Sequence, residues 1–204
     1  MAYTTLALVR AELKVTATTD DALISGYIAT AQRIIEAPAP LGTGRVFEAS
    51  ADTTRYLDAP ADASADPDGP SYLLLLTPAG DLCQITSLVN GDGTTVSPSD
   101  YVTLPAARTP YYGLRLKRNA GLLWTYDDSP EGAIAITGRW AYSVTAPADI
   151  VRAATRLAVW MYRSQASAGA DDRTVRTEQG IILPSTMPAD IRATIESYRS
   201  VLGT

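Results

Sequence analysis

Histidine is absent from all 204 residues. That absence excludes a Ser-His-Asp triad, a Cys-His nucleophile pair and any His-ligated metal within this chain. Cysteine occurs once, at Cys83, so no internal disulfide can form. Cys83 sits in an apolar, strand-like run, where a thiol serves as a small hydrophobe rather than as a nucleophile. No apolar run approaches the 18 or so residues that a membrane span needs, so the sequence predicts no membrane segment. The opening MAYTTLALVRAEL carries Arg10, Glu12 and Lys14 inside a helical pattern. A signal peptide needs an uninterrupted apolar core, so a cytoplasmic origin is expected. Positive charge is in deficit, with 17 Lys and Arg against 22 Asp and Glu and a net charge of −5. With no basic cluster to offset this, contact with DNA is expected to be loose or repulsive.

What is present describes a globular chain: 46% hydrophobic and 19% charged. A chain of this size buries roughly 70% of its unfolded surface and needs no metal or disulfide staple. The clearest helix is 147–164, PADIVRAATRLAVWMYRS. Pro147 suits a first turn, and Asp149 places a carboxylate at the positive end of the dipole. Ile150, Val151, Ala154, Leu157, Ala158, Met161 and Tyr162 recur at helical spacing. Ala153, Ala154 and Ala158 keep the stripe thin enough for another helix to approach closely. Trp160 lies off its centre.

Taken in order, Tyr3–Lys14 reads as a short helix capped by Thr4 or Thr5, with Leu6, Val9, Ala11 and Leu13 as its apolar surface. Asp20 or Asp21 caps a longer helix to about Glu36, whose stripe contains Leu23, Ile24, Tyr27, Ile28, Ala31, Ile34 and Ile35. Ala37-Pro-Ala-Pro40 ends it. From Gly42 to Ser143 the period falls to about two. GRVFEAS, TTRYLD, SYLLLLT, LCQITSLV, DYVTL, GLRLKR and AIAITGRWAYS read as strands. Asn90-Gly-Asp-Gly93 reads as a hairpin of the Asn-Gly kind, and Ser97–Asp100 and Asp127–Pro130 as further turns. Asp58–Pro70 reads as a surface loop. Aligning Ser64, Asp66, Asp68 and Gly69 to a calcium loop leaves Leu75 where the bidentate Glu should be, so the match fails. Gln165–Thr177 reads as loose. Pro188-Ala-Asp190 repeats the opening of the main helix and starts a last helix with the narrow stripe Ile191, Ile195, Tyr198 and Leu202, stopped by Gly203.

The expected fold is therefore α+β. Terminal helices form a four-helix bundle into which an antiparallel β-sandwich or barrel-like module is inserted. The expected boundaries are a helical pair at 1–41, a β module at 42–145, and a helical pair and arm at 146–204 that packs with 1–41.

Four pieces in order carry a resemblance: Tyr3 and Leu6 followed by Asp20, Asp21, Leu23, Ile24, Ile28 and Ala31; Gly44-Arg45-Val46-Phe47 with Thr54-Arg55-Tyr56; GRWAYS at 138–143; and Ala146-Pro-Ala-Asp-Ile150 leading into the Ala-rich, Trp-containing helix. Together they resemble the head–tail connector (adaptor) proteins of long-tailed bacteriophages and prophages. The resemblance implies a structural virion protein and no enzyme or cofactor. Such adaptors form a ring, usually twelvefold, beneath the portal protein. The ring extends the DNA channel and joins the capsid to a neck, stopper or tail-terminator protein, and duplex DNA passes through without specific binding.

Within that frame the residues suggest three surfaces. The C-terminal arm, Asp171–Thr204, is expected to dock on the portal through Ile181, Ile182, Leu183, Ile191, Arg192, Ile195, Tyr198, Arg199 and Leu202; the alternative is that the arm closes its own bundle. Tyr111, Tyr112, Trp140, Tyr142 and Trp160 are expected between subunits. Asp92, Asp127, Asp128 and Glu131 are expected to line the channel. Two other function classes stay open. A protein- or carbohydrate-binding β module with helical flanks would show an exposed platform of Trp124, Tyr126, Tyr111 and Tyr112. A carboxylate-only enzyme would need pairs such as Asp66 with Asp68 or Asp127 with Asp128 to converge in a cleft, but both pairs sit in turns.

Overall fold

The structure is a computed structural model that describes residues 2–60, 72–76, 79–168, 175–176, 182–183 and 187–199, with backbone alone at 166–168, 175–176 and 182–183. The chain forms two compact units, Met1–Arg45 with Ala146–Thr204, and Val46–Thr145. It is a mixed α+β fold of four helices and antiparallel sheets among the described residues. No helix among them is long and apolar enough to cross a membrane.

The first unit holds α1 (Leu6–Leu13), α2 (Asp21–Glu36), α3 (Ala148–Ala168) and α4 (Ala189–Ser197). Thr5 caps α1 by accepting the Leu8 N–H at 3.3 Å. Lys14 ends it in the left-handed region, φ 58°, with its N–H directed at the Ala11 and Arg10 carbonyls. Of the apolar residues expected on α1, only Val9 is buried. Asp20 makes no side-chain cap on α2. Its carboxylate accepts the Tyr162 hydroxyl of α3 at 2.6 Å instead, while Asp21 accepts from Arg10 at 3.3 Å. The α2 stripe buries Ile24, Ile28, Ala31 and Ile35. Helix α3 buries Ile150, Ala153, Ala154, Leu157, Ala158 and Val159, and α1, α2 and α4 all pack on it. Each fully buried Ile or Leu stabilises by about 1.5–3 kcal/mol. Among these apolar contacts Thr4 and Thr155, both buried, pair hydroxyl to hydroxyl at 2.7 Å. The Thr155 proton goes to the Val151 carbonyl at 2.8 Å, so Thr4 is the donor between them.

Helix α4 revises one expectation. Ile191 and Ile195 are each 1% exposed, and α4 packs on α3. The stripe expected to seat in a partner is buried within its own unit, because a neighbouring helix of the same chain covers it without the entropy cost of association. Ile182 and Leu183 form a short strand, β8, paired antiparallel with β7, Val175–Arg176. Ile181 and Leu202 lie outside the described residues, as do Ser64, Asp66, Asp68 and Gly69 of the rejected calcium loop.

The second unit contains two three-stranded antiparallel sheets. One has the order β1 (Thr53–Leu57), β6 (Ile134–Arg139), β3 (Gln84–Val89); the other β2 (Leu73–Leu75), β5 (Gly113–Leu116), β4 (Tyr101–Leu104). Gly44–Ser50, expected as a strand, contributes only a bridge from Glu48 to Ser143. Side chains from both sheets, including Leu57, Leu74, Leu88, Leu114, Leu116, Ile134 and Ile136, share one core. Trp140 belongs to it and not to the surface. The alternation of β6, which buries Ile134, Ile136 and Gly138, carries on to Trp140 at 4% exposure. Its indole N–H donates to the Thr53 carbonyl at 3.1 Å, and the Arg55 guanidinium lies 4.7 Å from the ring centroid. Trp124 is likewise interior, 1% exposed, and donates to the Tyr72 carbonyl at 3.0 Å.

The 90–94 turn is not the two-residue Asn-Gly type. Asn90 N–H meets the Thr94 carbonyl at 2.8 Å, and Gly93 N–H meets the Asn90 carbonyl at 3.0 Å. Gly93 takes φ +79°, giving a three-residue loop with the left-handed residue last. Gly91 lies where a Cβ would fall 2.3 Å from the Thr125 carbonyl oxygen, so only glycine fits. The Asn90 side chain, 3% exposed, turns inward. Its amide donates to the Leu123 carbonyl at 2.8 Å and to Thr125 Oγ1 at 3.1 Å. Its oxygen accepts the Gly91 N–H at 3.0 Å and the Thr125 N–H at 3.1 Å. All four positions of the amide are used.

These two buried polar groups give measurable expectations. Thr155→Val strands the Thr4 hydroxyl and is expected to cost about 1–3 kcal/mol in urea unfolding followed at 222 nm, with Thr4→Val/Thr155→Val recovering part of the loss. Asn90→Asp sets a carboxylate against the Leu123 carbonyl. It is expected to cost on the order of 3 kcal/mol at pH 7, and less at acidic pH, where the protonated acid can donate. Tryptophan fluorescence across a urea gradient at both pH values checks the sign.

Candidate functional site

Charge is divided unevenly between the units. Residues 46–145 carry twelve acidic and six basic side chains, and the remainder ten acidic and eleven basic. The whole net negative charge of the chain therefore belongs to the β unit.

Within that unit the structure brings together the four carboxylates expected to line a channel. Asp92 sits in the turn that follows β3, and Asp127, Asp128 and Glu131 sit in the turn that precedes β6. A backbone bridge from Gly91 to Tyr126 sets the two turns side by side. Asp58 joins them by accepting the Gly132 N–H at 2.7 Å. Asp92 accepts the Thr94 N–H at 2.9 Å, and that bond holds its carboxyl below the usual range. The Ser129 hydroxyl does the same for Glu131. Among the described residues none of the four forms an ion pair. Exposure to water makes such a cluster of like charge tolerable. Two tyrosines stand beside it. Tyr126, 44% exposed, enters the turn, and Tyr56, 68% exposed, lies across from Ala135 on the same sheet.

A second feature lies in the helical unit. The loop after α2 and the outer side of α4 enclose a groove of about 400 Å³ lined by Pro40, Leu41, Met187, Arg192, Ile195, Glu196 and Arg199. Arg199 fixes one wall by donating to the Pro40 carbonyl and, at 3.3 Å, to the Gly42 carbonyl. It also lies 3.8 Å from Glu196. Arg192 is exposed and has no ion-pair partner among the described residues. Of the residues expected at a portal contact, Arg192, Ile195 and Arg199 meet here. Tyr198 instead donates its hydroxyl to the Asp149 carboxylate at 2.9 Å. Pro40 and Leu41 were missed by the sequence reading, which saw only a helix stop; Leu41 is 59% exposed.

The aromatics expected between subunits are dispersed. Tyr112 is 48% exposed. Tyr111 is half-buried and its backbone bridges to Leu82. Tyr142 packs on Phe47 with ring centroids 5.5 Å apart. Trp160 is half-buried on α3, in the other unit. With Trp124 buried, the four-aromatic platform of the binding-module alternative does not form. Cys83 is buried, and burial raises its thiol pKa. Among the described residues no group of three or more His, Cys, Asp or Glu side chains is placed to hold a metal ion.

No family model and no curated protein matches this chain. Solved structures share its fold. A chain in the neck of an empty gene transfer agent (GTA) particle, computed with C6 symmetry, superposes with a TM-score of 0.53 at 17% identity, covering 98% of this chain and 91% of that one. A chain in the virion of the native GTA particle gives a TM-score of 0.50 at 20% identity over the same shares. The likeness runs through both units, and this chain shares its fold with chains of the GTA particle, one of them in the structure of its neck.

Proposed function

We propose that this chain is a structural adaptor at the head–tail junction of a tailed bacteriophage or a related particle. It forms a ring under the portal, extends the DNA channel and joins the capsid to the next neck or tail component. It is not an enzyme. The observation that carries this reading is the shared fold over nearly the whole chain with a neck component. The concentration of acidic charge in one unit supports it, because a ring multiplies that charge by its copy number and repels a passing duplex. The ring is twelvefold, to match the portal, and a twelvefold ring also satisfies sixfold symmetry. The α4 groove with Arg192 is the portal contact, since it offers an apolar floor and a cation without an ion-pair partner among the described residues to an acidic, apolar segment.

The decisive experiment removes the protein from its particle. DNA-filled heads without tails are expected by electron microscopy, and normal tailed particles would overturn the reading. On heads that carry the portal, the added protein is expected to form a ring; single copies without rotational symmetry would contradict it. Arg192→Glu is expected to weaken joining to those heads about tenfold or more while leaving the urea midpoint unchanged, since the side chain is exposed and has no ion-pair partner among the described residues.

A further inference from the structure

The outer face of the β2–β5–β4 sheet is apolar and, among the described residues, exposed at Leu75, Val102 and Arg115, with Leu73 and Leu104 half-buried. Register sets Leu73, Arg115 and Val102 in one cross-strand row, and Leu75, Gly113 and Leu104 in the next. Alternation puts all six on one face, opposite the buried Leu74, Leu114 and Leu116. Gly113 is the floor of this plate. A Cβ there would lie 3.3 Å from Leu73 Cδ1 and 3.8 Å from Leu104 Cδ1, so these two leucines lean over it. Leu75 is 51% exposed and Val102 37%. Arg115 rises from the middle, exposed and without a carboxylate partner among the described residues. An apolar plate around an exposed guanidinium calls for a partner that brings apolar cover and a carboxylate to the same place.

The same unit presents that partner elsewhere on its surface. The turn that carries Asp127 and Asp128 offers exposed carboxylates without an ion-pair partner among the described residues, with the exposed rings of Tyr126 and Tyr56 on the same unit. We infer that the Arg115 plate of one copy receives the Asp127–Asp128 end of the next copy. This rests on the ring proposed above and names the faces that build it. The two patches differ, so the contact is heterologous, the kind that closes into a ring when the rotation allows. The tyrosine rings cover Leu75 and Val102, and Arg115 takes a carboxylate in a fork of two hydrogen bonds. Asp127 and Asp128 then face a neighbouring copy and not the channel.

The test is charge reversal in the full chain, with assembly followed by sedimentation velocity and native mass spectrometry at low salt. If the wild type stays monomeric alone, the same comparison is made on rings formed on portal-bearing heads. Arg115→Glu and Asp127→Arg/Asp128→Arg are each expected to weaken assembly at least ~10-fold. The chain carrying all three changes is expected to recover it, as is an equimolar mixture of the two variants, whose faces match in alternation. Circular dichroism confirms that each variant is folded. Unimpaired rings from either variant alone overturn this inference while leaving the adaptor reading in place. Unimpaired assembly of Asp127→Arg/Asp128→Arg with a new affinity for duplex DNA would return those carboxylates to the channel. Single copies on the heads, without rotational symmetry, would instead overturn the adaptor reading itself.

Discussion

Close approach to α3 is the constraint on which the helical unit depends. Ala153, Ala154 and Ala158 present little more than methyl groups, and Ile150 and Leu157 fill the space between them. That thin surface lets α1, α2 and α4 pack on one helix. The polar contacts are built around it. Thr155 can sit buried on α3 because Thr4 donates to it, and Tyr162 reaches back to Asp20. A larger side chain at Ala154 or Ala158 would push neighbouring helices apart, and these hydrogen bonds would lose their geometry.

The β unit is held by groups that a surface reading would assign to binding. Trp124 and Trp140 have the size and the N–H that mark interface residues, yet each spends its N–H on a backbone carbonyl inside the core. Asn90 does the same with both ends of its amide, fastening the 90–94 turn to the 123–126 segment. With those groups committed to the interior, the exposed features among the described residues include the carboxylates with Tyr56 and Tyr126, and the Leu75, Val102 and Arg115 plate on the outer sheet face. Both suit recognition of a protein surface.

A structural role in a particle neck fits this distribution. The proposed channel would have to pass DNA without holding it, and the β unit has twice as many acidic as basic side chains. In the proposed role anchoring would fall to the helical unit, where charge nearly balances and Arg192, without an ion-pair partner among the described residues, borders an apolar groove. The two units carry different electrostatics as well as different secondary structure.

Helix and strand identity were legible in the sequence because they depend on local periodicity. The 3.6-residue stripes of 21–36 and 148–164 and the alternation of 53–57, 84–89 and 134–139 can be read from one segment at a time, whereas the last turn of α3, to Ala168, falls in a stretch that reads as loose. The Asp-rich turns were legible as turns for the same reason. What the sequence could not say is which face of an element meets which neighbour. The alternation through Ile134 and Ile136 runs on to Trp140 and buries it, but only the pairing of β6 between β1 and β3 shows which side is inward. Ile191 and Ile195 make a stripe equally suited to a partner's groove or to α3; the packing of α4 decided for α3. Asp92 and Asp127 are 35 positions apart and become neighbours through a single backbone bridge. Arg115 becomes a feature only when Leu73 and Val102, far from each other in the chain, arrive on either side of it. Local pattern sets what each segment is, because backbone geometry fixes its period. Tertiary pairing alone sets what each side chain meets, because those contacts join residues that the chain keeps far apart.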